Sequence, residues 1–193
     1  VKAREDGMGA ELSTEDRRRL LGVARRAIAD ALAGRPPAPD ETDGVFGRRS
    51  GAFVSLHRHG DLRGCIGHPD GDRPLGSVVA GCAVAAAIED PRFPAVRPDE
   101  LDQCVIEISV LGPLVPVADT ADITVGRHGL IVEQGRRRGL LLPQVAVEYG
   151  WDRDTFLART CGKAGLPADA WKQGARIVMF EAEVFDDTAA GAR

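Results

Sequence analysis

Apolar positions recur at helical spacing near the start of the chain. Leu20, Leu21, Ala24, Ile28, Ala31 and Leu32 fall on one face, with Arg17, Arg18, Arg19, Arg25 and Arg26 opposite. Ser13, with Asp16 three residues on, is a capping signal that predicts where this helix begins. Gly34, Pro36, Pro37 and Pro39 end it, and the stretch to Gly51 reads as a long loop. The period then changes to two. Ala52 to His57 and Leu62 to Gly67 read as the strands of a hairpin with its turn near His59-Gly60. Pro74 to Glu89 is small and apolar, a helix suited to close packing on a sheet. Asp90-Pro91-Arg92-Phe93-Pro94 is stiffened by its prolines into a rigid corner, with Phe93 in the core and Arg92 capping carbonyls.

Ile106, Ile108 and Val110 alternate with Glu107 and Ser109, the pattern of a half-buried strand over Val105 to Leu111. Gly126-Arg127-His128-Gly129 reads as a tight turn between Ile123-Thr124-Val125 and Leu130-Ile131-Val132. Gly135 to Gly139 reads as another, before Leu140-Leu141-Leu142. Pro143 suits the first position of a short helix through Tyr149, and Asp152 caps a helix carrying Phe156, Leu157 and Cys161. Ala175 to Phe185 is a final strand. Strands and helices mix without strict alternation, so the fold class is α+β: a mixed, largely antiparallel sheet flanked by helices. The expected boundaries are a flexible arm over 1–12, one domain over 13–185 and a flexible tail over 186–193.

Composition narrows the function classes. The chain has 193 residues, a net charge of -4 and 5% aromatics, so neither a nucleic-acid partner nor base stacking is expected. No apolar run has the length of a membrane span, and the polar start shows no signal-peptide core, so the expected location is cytoplasmic. The four cysteines, at 65, 82, 104 and 161, are scattered, which points to reduced thiols and not to a zinc knuckle or a thioredoxin motif.

The chemistry concentrates in Leu62-Arg63-Gly64-Cys65-Ile66-Gly67. Strict alternation puts Arg63 and Cys65 on one face, and a guanidinium beside a thiol favours the reactive thiolate. Gly64 and Gly67 would let a ligand or another backbone come close. Cys65 is therefore the candidate nucleophile, with His128 as its candidate base from the glycine-flanked turn. Arg63, Gly64, Gly67 and Lys163 are the candidate contacts for a small anionic ligand, and Glu107 is a further polar contact. Cys82, Cys104 and Cys161 sit among apolar neighbours as packing residues. His57, His59, Cys65 and His68 make a tempting metal set, but turn and loop positions argue against it, so no metal and no cofactor are expected. Arg136-Arg137-Arg138 reads as solvated charge. The alternative to a cysteine-dependent enzyme is a ligand-binding or protein-interaction adaptor without chemistry.

Several segments together resemble the AMMECR domain family, the AmmeMemoRadiSam system protein A group. They are the run 51–56, the hexapeptide 62–67, Asp90-Pro91-Arg92-Phe93, the runs 107–111 and 126–129, and Leu142-Pro143-Gln144-Val145-Ala146. Trp151-Asp152, the run 161–166 and Trp171 complete them. The resemblance spans nearly the whole chain. It implies an α+β fold with two lobes and work alongside Memo-like and radical S-adenosylmethionine proteins. It implies no assigned activity. The chain departs from the family pattern at His57 and His59, where lysine is common.

Overall fold

Ser13 opens the first helix by exchange. Its hydroxyl accepts the Asp16 amide at 3.1 Å, and the Asp16 carboxylate accepts the Ser13 amide at 3.2 Å. The computed structural model describes residues 11–39 and 41–188. Among them the elements run α1 (Thr14–Leu32), β1 (Ala52–Arg58), β2 (Asp61–His68), α2 (Leu75–Ile88), β3 (Cys104–Leu111) and β4 (Val115–Pro116). There follow β5 (Gly129–Gln134), β6 (Arg137–Leu141), α3 (Pro143–Glu148), α4 (Arg153–Lys163), β7 (Arg176–Phe180) and β8 (Ala182–Asp186). They form two compact units, one of residues 11–111 with 183–188 and one of residues 112–182. Each holds a four-stranded sheet, ordered β2-β1-β3-β8 in the first and β4-β7-β5-β6 in the second. The α+β class and the antiparallel pairing follow the sequence pattern.

In the first unit, β1 pairs antiparallel with both β2 and β3. Ala52, Val54 and Leu56 stand opposite Val110, Ile108 and Ile106, and this face is buried against Leu20, Ala24 and Ile28 of α1 and Val78, Val79 and Ala83 of α2. His59 and Gly60 both have positive φ, 54° and 88°, which gives the two-residue turn whose twist matches a hairpin. Helix α2 begins after Pro74 and lies close to the sheet because its residues are small. Of the expected arm, 1–10 lie outside the described residues, while Leu12 is buried and donates its amide to Glu183 at 3.0 Å. Of the expected tail, 189–193 lie outside them. Asp187 accepts the Ile106 amide at 3.0 Å and pairs with Arg25.

In the second unit, Phe156 and Leu157 of α4 bury against Leu130 and Ile177, and Cys161 against Val132. Pro143 begins α3 and Asp152 caps α4 through the Thr155 amide, both as the sequence predicts. Three local expectations are corrected. Residues 123–125 form no strand, because Thr124 closes a turn by accepting the His128 amide at 3.0 Å. Strand β6 begins at Arg137, since Gln134 pairs with Arg137 across a two-residue turn. The run 175–185 is two strands in two sheets, broken at Glu181, whose carbonyl accepts the Gly112 amide at 2.8 Å. Among the described residues, no helix is long and apolar enough to cross a membrane.

Candidate functional site around Cys65

Strand β2 is the edge of its sheet, and at Cys65 that edge is held by side chains instead of another strand. The Cys65 amide donates to Asp90 Oδ2 at 2.9 Å, and Arg92 Nη2 donates to the Cys65 carbonyl at 3.1 Å. Arg92 and Asp90 bond each other twice, from Nε to Oδ1 at 2.9 Å and from Nη2 to Oδ2 at 2.7 Å. The Arg92 amide also donates to Asp90 Oδ1 at 3.1 Å, which tightens the corner. The Asp90 side chain is 2% exposed and that of Arg92 52%. The Arg92 hydrogen bond holds the Asp90 carboxyl well below the usual carboxylate range against the penalty of burial. Arg92 caps a carbonyl, as expected of the corner. Phe93 is half-buried and lies under the Arg92 guanidinium at 5.5 Å.

The Cys65 side chain shares a sheet face with Ser55, its partner on β1, and with Glu107, the partner of Ser55 on β3. Directly paired residues project to the same side, so thiol, hydroxyl and carboxylate form one row across three strands. The Ser55 hydroxyl donates to Cys65 Sγ at 3.2 Å. Ser109 and His57 lie on the same face, and His57 Nε2 is buried with no hydrogen-bond partner. Cys65 is partly exposed, and the other three thiols are buried. Burial pushes the Cys82 thiol up to about 11 and raises those of Cys104 and Cys161.

Arg63 does not sit beside the thiol. Leu56 pairs with Gly64 and His57 with Leu62, so Arg63 is the extra residue of a β-bulge, and even alternation fails there. Its guanidinium donates to the carbonyls of Pro94 at 2.7 Å and Ala95 at 3.2 Å, and to Glu100 at 3.3 Å. Glu100 is buried and also takes Arg58 at 2.6 Å. The bulge turns Arg63 from a neighbour of the thiol into a brace for the loop that carries Asp90 and Arg92. The space opened by Gly64 is taken by the Ala86 carbonyl of α2, and that opened by Gly67 by the Phe53 ring.

A family model described as AMMECR1 matches residues 21–185. The chain belongs to the AMMECR1 family. It is similar to a protein of Methanothermobacter thermautotrophicus, 47% identical over 187 residues that cover 92% of this chain and 97% of that one. It is also similar to Protein MJ0810 of Methanocaldococcus jannaschii, 43% identical and covering 91% and 92% of the two chains. Among solved structures it resembles the crystal structure of the uncharacterized protein PH0010 from Pyrococcus horikoshii. The TM-score is 0.83 at 42% identity, over 88% of this chain and 90% of that chain.

In this AMMECR1 domain the remaining predicted site residues belong to the second unit. His128 closes its turn, with Nδ1 accepting the Thr124 amide at 3.1 Å. In the neutral ring the proton then sits on Nε2, 4.0 Å from Glu181. The lone pair that a base would use is engaged at home. Lys163 is exposed in the last turn of α4, where a cation complements the helix end. Among the described residues, no group of three or more His, Cys, Asp or Glu is placed to hold a metal; His68 instead bonds Asp72 at 2.6 Å. The arginines of α1 are paired: Arg18 with Glu15, Arg19 and Arg26 with Glu41, Arg17 with Glu183 and Arg25 with Asp187. Of the 136–138 run, Arg137 donates to the Gly165 carbonyl and Arg138 pairs with Glu133.

Sequence reasoning missed Asp90, Arg92 and Ser55 as partners of Cys65. The corner 90–94 carried one usable signal: an Asp two residues before an Arg, fixed by flanking prolines, is a preformed ion pair. Nothing local to it says which strand it clasps.

Proposed function

We propose that this AMMECR1 domain acts through Cys65, as a nucleophile or covalent carrier for a small electrophilic ligand. The observation that supports it is the fixing of one partly exposed thiol. Asp90 and Arg92 hold its backbone amide and carbonyl along the open strand edge, and the Ser55 hydroxyl donates to its sulfur at 3.2 Å. A site must hold its reacting atom in place by neighbours that are themselves fixed, and a buried carboxylate bonded twice to an arginine in a proline-stiffened corner meets that need. A second reading, ligand capture or protein interaction without turnover, draws support from Asp90. Its carboxylate is committed to Arg92 and to the Cys65 amide, so it is a poor proton acceptor. Work alongside Memo-like and radical S-adenosylmethionine proteins belongs to this proposal, and co-purification of the three tests it.

The deciding experiment is mass-spectrometric mapping of iodoacetamide labelling on native protein at neutral pH. Cys65 is expected to react about tenfold or more faster than Cys82, Cys104 and Cys161, which burial protects. Equal rates at all four, or labelling of Cys65 only on unfolding, make it a structural thiol. Cys65→Ser, with intact folding, then separates the two readings: turnover is lost in the first, and reversible binding survives in the second.

A further inference from the structure

Cys65 is gripped by two groups of opposite charge. A ring of hydrogen bonds runs from the Cys65 amide to Asp90 Oδ2, from there to Arg92 Nη2, and back to the Cys65 carbonyl. We propose that Asp90 and Arg92 are a positioning pair that sets the charge felt at Cys65, Arg92 promoting attack by the sulfur and favouring anionic ligands, Asp90 restraining both. This deepens the reading of Cys65 as the functional thiol and rests on it.

The two members of the pair face different surroundings. Asp90 is buried, with both oxygens taken: Oδ1 by the Arg92 amide and Nε, Oδ2 by Arg92 Nη2 and the Cys65 amide. Arg92 is half exposed, so part of its guanidinium stays open to solvent. Arg63 offers no substitute, since its guanidinium is spent on Pro94, Ala95 and Glu100. Arg92 stands above the ordinary arginine value, first through its hydrogen bond to Asp90, and its Nη2 reaches the Cys65 carbonyl at 3.1 Å. Pro91 and Pro94 keep the corner from relaxing when a ligand arrives.

A pair that only tied a loop to the sheet edge would behave differently from one that sets charge. Loss of either member of a tie loosens the strand and exposes the thiol, which speeds labelling by any reagent. Loss of a charge acts with a sign. The test compares Arg92→Gln, Arg92→Lys and Asp90→Asn with wild type, each with its melting temperature. The probes are neutral iodoacetamide and anionic iodoacetate. In both reactions the sulfur attacks the methylene carbon, a C–S bond forms, the C–I bond breaks, iodide leaves and the thiol proton goes to solvent.

Arg92→Gln is expected to slow Cys65 labelling by about threefold to tenfold, with the iodoacetate rate falling more than the iodoacetamide rate. Arg92→Lys keeps the charge and restores part of both rates. Asp90→Asn leaves Arg92 uncompensated, so it speeds labelling and raises the iodoacetate-to-iodoacetamide ratio. If Asp90→Asn does not fold, the ordering of wild type, Arg92→Lys and Arg92→Gln decides alone. Faster labelling in all variants with an unchanged reagent ratio, or no change in any of them, overturns the pair while leaving Cys65 as the functional thiol. No preference for Cys65 in the wild type overturns the thiol reading and the pair with it.

Discussion

A methyl group at position 64 has nowhere to go. Its Cβ would stand well inside contact distance of the Ala86 carbonyl, and that neighbour is helix backbone, which cannot rotate away. Gly64→Ala is therefore expected to push the end of α2 off the sheet and to destabilise by about 1–3 kcal/mol. Gly81 is the control on the same helix: it is exposed, nothing lies within 4 Å of its would-be Cβ, and its φ is ordinary. Gly81→Ala should stabilise by about 0.5–1 kcal/mol. Urea denaturation of both variants checks the pair, and equal midpoints would mean that α2 is not seated on Gly64. At this scale Cys65 stood out as a candidate, because a thiol between glycines is visible in any reading. The position of Arg63 was not legible, since a bulge shifts every later residue by one and no residue type announces it. Ser55 and Asp90 were illegible for another reason. They meet Cys65 across 10 and 25 residues of chain, a separation that only the register of β1 and the path of α2 define.

Strand β3 is the central element of the first unit's core. Ile106 and Ile108 are fully buried opposite Leu56 and Val54, with α1 and α2 above them. Truncating either to Ala removes the transfer free energy of the lost methyl groups and leaves a cavity, for an expected loss of about 2–5 kcal/mol each; Val110→Ala should cost less. Thermal or urea melts measure this, and near-neutral effects at both isoleucines would exclude the packing described. Elements with a strong period were legible: α1 from its cap and apolar stripe, the hairpin from its turn, β3 from its alternation. Elements defined by pairing were less so. The run 175–185 reads as one strand because Ile177, Val178, Phe180 and Phe185 are all strand formers, and propensity is blind to a change of sheet at Glu181. Arg137 and Arg138 read as turn because they are polar, yet the ladder with Glu133 and Gln134 makes them strand.

At the scale of the molecule, α+β character was legible from the mixed periodicities, and the two-lobed division from the family resemblance alone. The charge balance was not legible, since net charge does not say which carboxylate meets which arginine. That balance has a consequence in acid. Asp90 is held low, mainly by the Arg92 hydrogen bond, and Glu100 is held low, first by the Arg97 amide and then by Arg63. Both lie in the first unit, on the loop that braces the Cys65 edge. A carboxyl whose folded value is depressed contributes stability that is fully present above its unfolded value, about 4. That contribution is lost as pH falls through the folded value, because the unfolded chain takes up the proton first. The melting temperature should therefore hold from about pH 7 to 5 and fall steeply below about pH 4. Asp90→Asn should start lower at pH 7 and show a shallower acid slope, because the group responsible for part of it is gone. Circular dichroism melts across this range measure both, and parallel slopes in wild type and variant would mean that Asp90 is not ionised against Arg92 in the folded protein. The alkaline limb carries the opposite sign. Burial raises Cys82 to about 11 from an ordinary value of 9. The unfolded chain ionises first there, and stability should decline between those two values.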